Sequence, residues 1–185
     1  MPHLRSYVVL VCVLAPLLTS SHAHALKPPC FTVRAERIID APYDLVFDVI
    51  VDTASYPEWN PYIIEVTPEV DISVVGTEFV LTVDQPFQLF HTESPEKTLA
   101  VLLPDGQRAR LVYGYNDPLL GGLVGSPQRI QTFEALSPTR TRYQSEETFC
   151  TYLLPLLPLP SVQTGIVLQT LALEQEAEAR FQASN

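Results

Sequence analysis

The chain is poor in positive charge. It carries 11 Lys and Arg against 21 Asp and Glu, for a formal net charge of −10, and Lys27 and Lys97 are its only lysines. A polyanion needs clustered cations, and the sequence has no such cluster, so no nucleic acid partner is expected. The same shortage argues against an anionic membrane surface. Long apolar runs are missing too. The stretch 7–18 is interrupted by Pro16 and is short against the roughly 20 residues of a spanning helix. Chemical signatures are equally scarce. There is no Cys/His pair at metal-ligand spacing, no phosphate-cradling glycine loop, no dinucleotide glycine pattern and no Gly-x-Ser-x-Gly elbow. No metal and no cofactor are therefore expected.

What is present begins at the N-terminus. Arg5 gives a positive start, 7–18 an apolar middle, and Ala23-His24-Ala25 a small-x-small end. Together they read as a signal peptide over 1–25, leaving a mature domain of 26–185 in a secretory lumen or outside the cell. The other reading is an N-terminal membrane anchor. Cleavage would remove Arg5 and three of the four histidines, taking the charge from −10 to −11 and leaving His91. No stable membrane insertion is expected of the mature chain, whose length favours one domain. Cys12 leaves with the leader. Cys30 and Cys150 stay, and an even count in an exported chain invites a disulfide. The alternative is two buried thiols acting as small apolar groups.

The rest of the chain is organised around 35–62. A strand ends near Asp40. Pro42 suits a first helical position, where its missing N–H costs nothing, and Asp40 is placed to accept from first-turn N–H groups. Leu45, Val46, Val49 and Ile50 then recur at helical spacing. Pro57 and Pro61 end the helical run and bracket Trp59, the only tryptophan.

Ile39, Ala41-Pro42, Val46-Phe47, Val49, Asp52 and Tyr56-Pro57-Glu58-Trp59-Asn60-Pro61 resemble the N-terminal signature of the START-like, or SRPBCC, superfamily. That group includes polyketide cyclase/dehydrase-type proteins. The resemblance implies an α+β helix-grip fold. Two short helices follow the first strand, and a curved antiparallel sheet wraps a long C-terminal helix around a cavity. It also implies that the first and last strands pair antiparallel, which would bring Cys30 to Cys150. It says little about chemistry, because one fold hosts both binders and enzymes.

Strand-like alternation is read at 31–40, 62–67, 76–84, 97–103, 108–115, 128–136 and 140–152. No helix interrupts the strands after 62, so the sheet should be antiparallel. The segment 116–127 reads as a Gly/Pro loop. At 152–160, three prolines in six residues exclude helix and central strand. That strongly apolar stretch is either a linker against the cavity mouth or a hydrophobic lid or membrane-touching edge over a ligand entrance. Ser161 is expected to cap a helix running to about 182. The first half of that helix is apolar over so wide an arc that burial on more than one side is expected.

The candidate ligand-binding residues are Trp59, Phe79, Leu81, Tyr113, Tyr115, Tyr143 and Ile166. Phe79 and Leu81 share one strand face, as do Tyr113 and Tyr115. Inward tyrosine hydroxyls over an apolar cavity orient polar groups of a ligand. They serve equally as barrel filling. Trp59 is read as a wedge or a contact at the cavity mouth. Candidate catalytic groups are Tyr113, Tyr143, Glu147 and His91. Glu147 shares parity with Tyr143, and a buried carboxylate there would have a raised pKa. His91 is either paired with a carboxylate such as Glu93 or a general base. Arg110 and Arg129 are expected at the surface, with carboxylate or carbonyl binding as the alternative. Two function classes follow. One is a binder of a hydrophobic small molecule, such as a lipid, a sterol or an aromatic metabolite. The other is a cyclase or dehydratase that folds a polyketide-like or terpenoid substrate in a shaped cavity.

Overall fold

The computed structural model describes residues 27–87 and 91–184. The expected signal peptide and Cys12 lie outside them. Seven antiparallel strands form one curled sheet in the order β1-β7-β6-β5-β4-β3-β2. They are β1 Cys30–Ile39, β2 Ile63–Thr67, β3 Glu78–Val83, β4 Thr92–Leu102, β5 Arg108–Tyr115, β6 Gln128–Ser137 and β7 Arg140–Cys150. Helices α1 Tyr43–Val51 and α2 Tyr56–Trp59 follow β1, a four-residue α3 Gly121–Val124 follows β5, and α4 Leu159–Ala183 closes the chain. This is the α+β helix-grip architecture, with α4 packed most extensively on β1.

Local chemistry explains the elements and where they depart from expectation. Helix α1 buries Val46, Phe47, Val49 and Ile50. Its N-cap is Pro42 with no side-chain cap, because Asp40 instead pairs with Arg140 at 3.0 Å across the sheet edge. Pro57 does not stop a helix. It sits in the first turn of α2, where no N–H is missed. Asn60 then accepts from the backbone N–H groups of Tyr62 and Ile63 at 3.0 and 2.9 Å and turns the chain into β2.

Strand β4 begins five residues before the expected 97, and Pro95 is inside it. The Pro95 carbonyl accepts from Asn116 N–H, just past the end of β5. A strand residue's N–H and C=O face the same neighbour, so the missing donor falls where the β5 ladder has ended. Helix α4 starts two residues before Ser161, with proline tolerated in its first turn. The Ser161 hydroxyl donates to the Pro86 carbonyl rather than capping. Ser161, Val162, Gly165, Ile166, Gln169, Thr170, Leu173 and Ala177 are buried, one stripe at helical spacing. Leu168 is exposed, which corrects the expectation of burial on several sides. The helix lies across the sheet with its outer face in solvent.

Cys30 and Cys150 are register partners on β1 and β7. They form a disulfide closing a sequence separation of 120.

Candidate functional site

A cavity of about 210 Å³ lies between the sheet and the start of α4. Strands β2 to β7, the end of the loop before β6, and residues 157–162 supply its lining. Its apolar wall includes Ile63, Leu81, Val83, Phe149, Leu159 and Val162. Its polar groups come mostly from adjacent strands. Tyr113 on β5 is the register partner of Arg129 on β6, and Arg129 is the partner of Glu147 on β7. One row of the sheet's inner face therefore carries a phenol, a guanidinium and a carboxyl group. Glu96 and Tyr115, partners on β4 and β5, form a second pair on the same cavity.

Arg129 is buried, at 4 % exposure. Its Nε donates to Ser145 Oγ at 3.1 Å and its Nη2 to Gln169 Oε1 at 2.5 Å. The guanidinium also lies 5.9 Å from the centre of the Tyr62 ring, a cation–π distance. Among the described residues no carboxylate forms an ion pair with it. It is thus a positive charge fixed by neutral partners beside the cavity.

The two carboxyl groups respond to that setting. Burial pushes Glu96 up to about 8. The Ser94 hydroxyl, donating to Glu96 at 2.7 Å, and Arg129 oppose the shift, while the charge of Glu147 adds to it. Glu96 is therefore mostly protonated at neutral pH. Burial also raises Glu147, with Arg129 holding it back. The Tyr62 and Tyr113 hydroxyls are pushed well above their ordinary value by burial and are neutral donors. The cavity floor can accept or donate a hydrogen bond, and can give up or take a proton, inside an apolar wall.

The structure brings together only part of the expected set. Leu81, Tyr113, Tyr115 and Glu147 line the cavity. Phe79, Tyr143 and Ile166 do not; all three are core. Phe79 stacks edge-on against Tyr113 at 5.7 Å and supports it from the side. Tyr143 is fully buried, packs on Phe133 and donates to Gln131 Oε1 at 2.6 Å. Parity put Tyr143 on the inner face, but the sheet's curl fills that end with Phe133 and α1. Ile166 is fully buried in the core cluster. Trp59 stacks edge-on against Tyr56 at 5.2 Å and donates from Nε1 to Ser55 Oγ at 3.1 Å. It is a wedge in α2 and not among the cavity-lining residues. His91 faces Asp84 at 3.5 Å in an exposed pair, not Glu93. Arg110 is exposed, as expected, whereas Arg129 is not.

Glu96 and Tyr62 were missed, and Arg129 was expected at the surface, with the binding role only as the alternative. Arg129 shares parity with Phe133 on β6, a signal present in the sequence but outvoted by the usual exposure of arginine. Glu96 sits next to Pro95, just before the strand expected to begin at 97, so no strand parity was assigned to it.

No model of a known family matches the chain, and no curated protein matches it. Solved structures do. An aromatase/cyclase from Streptomyces sp. R1128 is 19% identical, with a TM-score of 0.63 over 85% of this chain and 99% of that one. A START superfamily protein from Mycobacterium smegmatis is 17% identical, TM-score 0.54, over 83% and 99%. Norcoclaurine synthase from Thalictrum flavum is 14% identical, TM-score 0.55, over 81% and 94%. At these identities the likeness establishes the fold: this chain has the START/SRPBCC-type helix grip.

Proposed function

We propose that the protein is an exported, single-domain binder of a small hydrophobic molecule that carries one polar group. The observation that supports this most is the row Tyr113, Arg129, Glu147 set beside the apolar wall of the cavity. Size narrows the ligand. Sites for drug-sized molecules run about 300–1,000 Å³, and an engineered apolar hole of about 150 Å³ takes benzene. A cavity of about 210 Å³ fits one or two rings, and favours an aromatic or polyketide-like metabolite over a sterol or a long-chain lipid. START-type and cyclase structures of the same fold support hydrophobic binding at that general level.

Native mass spectrometry of protein purified from its own host tests this reading. A bound species of low mass that leaves on cavity-directed substitution, such as Leu81→Asp, is the expected result. Protein that is empty, and that takes up no neutral naphthol probe after purification, would overturn it. The Cys30–Cys150 bridge suits an oxidising compartment and supports export. N-terminal sequencing of secreted material should start near Leu26; a start at Met1 would remove the cleavage.

A second reading is a cyclase or dehydratase, and Glu96 with Glu147 favours it. Two carboxyl groups on one cavity, both raised by burial, are suited to act as an acid and base pair. The fixed charge of Arg129 beside them could stabilise a developing enolate.

A further inference from the structure

Three segments frame the cavity mouth: residues 84–87, the loop 116–127 with α3, and residues 151–160. Each supplies lining residues, among them Gln85, Val124, Pro127, Leu157 and Pro158. They are tied to one another and to the body. Ser161 donates to the Pro86 carbonyl, and Thr151 Oγ1 donates to the Leu123 carbonyl at 2.5 Å. Their sequence differs from the rest of this acidic chain. Residues 85–87, 118–127 and 151–160 contain no Asp, Glu, Lys, Arg or His, and the two carboxylates of the framing segments, Asp84 and Asp117, directly precede the first two of these stretches. At the segment tips Phe87, Leu119 and Leu156 are 88, 83 and 78 % exposed, and Leu123 is 53 % exposed. Single exposed leucines are ordinary; a charge-free cluster around one opening marks an interaction surface.

We infer that this rim docks on an uncharged, zwitterionic lipid surface, so that the cavity mouth opens toward the bilayer. Three observations select lipid over a protein partner or an anionic membrane. First, much of the rim's backbone is paired within the rim itself. Asp117 Oδ1 accepts from Leu119 and Leu120 N–H, at the inner end of the loop. Val124 N–H bonds to Leu120, Leu156 to Leu153 and Leu157 to Leu154. Pro155, Pro158 and Pro160 have no N–H to satisfy. Backbone treated this way can enter the headgroup–acyl boundary, where unpaired groups are costly. Second, a protein interface carries a polar rim and a hydrogen bond for about every 100–200 Å². At the most exposed tips, Phe87, Leu119 and Leu156, these segments present only hydrocarbon. Gln85 and Thr151 are buried, and Asp117 is engaged by its own loop, which leaves Asn116, Ser126 and Tyr152 as the exposed uncharged polar side chains. Third, the rim has no Lys or Arg and the chain carries a net charge of −10, so anionic lipid would repel it.

Flotation of the purified protein with phosphatidylcholine vesicles tests this directly. The wild type should float with the vesicles. The double variant Leu119→Glu/Leu156→Glu should lose at least about 100-fold in partitioning, roughly tenfold for each apolar side chain withdrawn from the bilayer. Adding phosphatidylserine should weaken wild-type binding. Neither leucine lines the cavity, so naphthol uptake in solution should be unchanged in the variant. That measurement separates failure of docking from failure of the binding function. Wild type that stays in the soluble fraction would overturn the inference, and so would a variant that floats equally well. A wild-type dimer in sedimentation velocity that the variant splits, with no vesicle binding, would assign the rim to a second copy and overturn it too.

Discussion

The Tyr62 ring lies directly on the bare backbone of Gly165, so that a methyl group built at Gly165 would overlap the ring. Tyr62 lines the cavity and Gly165 belongs to the buried stripe of α4. The absence of a side chain on the helix therefore sets where one cavity wall stands. In an open helix position Gly→Ala would stabilise by about 1 kcal/mol. Here Gly165→Ala should instead destabilise by about 1–3 kcal/mol through overpacking and should reduce probe uptake. Thermal denaturation decides the sign. A variant more stable than wild type would show that Tyr62 and α4 are not in the close contact described.

The Cys30–Cys150 bridge ties the first strand to the last across a separation of 120. A loop of that length gives about 4–5 kcal/mol in the chain-entropy account. The double variant Cys30→Ser/Cys150→Ser should lose about 2–5 kcal/mol in urea unfolding, with the sheet retained by circular dichroism. Non-reducing peptide mapping should recover the two cysteines linked. Two freely alkylated thiols in unreduced native protein would contradict the bridge.

The disulfide was legible in the sequence only through the expected pairing of the end strands, because spacing alone says nothing about which cysteines meet. The strands 108–115 and 128–136 were readable to within a residue, since their alternation and flanking turns agree. Half of the site was not readable. Tyr113 and Tyr143 have the same sequence signal, an aromatic at inward parity. Only the curl of the sheet decides that one meets a cavity and the other meets Phe133 and Gln131. Glu96 was hidden by Pro95, whose tolerance in β4 depends on β5 ending one residue earlier than the proline needs.

Glu96 gives the protein a pH dependence whose direction follows from its shift. Its folded value of about 8 stands above the ordinary 4.5. The folded state therefore holds a proton that the unfolded chain releases. The resulting stabilisation is complete below about pH 4.5 and is lost as pH rises toward 8. Glu96→Gln keeps the hydrogen-bonding shape without the titration. The stability difference between variant and wild type should grow in the variant's favour from pH 5 to about pH 8 and then level off. Parallel stability curves across that range would mean that Glu96 ionises normally and is not shielded in the cavity.

Tyr113 and Tyr143 separate site from scaffold, and Tyr113 then separates binder from enzyme. Tyr143→Phe removes the donor to Gln131, whose Nε2 is already without a partner. It should cost about 1–3 kcal/mol of stability, the desolvation left on a buried acceptor, and leave ligand affinity alone. Tyr113→Phe removes a hydroxyl from the cavity wall while keeping the ring against Phe79, so stability should change little. In a binder, affinity for a ligand with one polar group should fall by about fivefold, the roughly 1 kcal/mol of one hydrogen bond. In an enzyme that uses this hydroxyl on a developing charge, turnover should fall about 100-fold or more while affinity holds. Isothermal titration with the ligand recovered from the host, run beside a product assay on the same variants, distinguishes the two. If Tyr143→Phe weakens ligand binding and Tyr113→Phe does not, the cavity assignment is reversed and the ligand sits deeper, against Phe133.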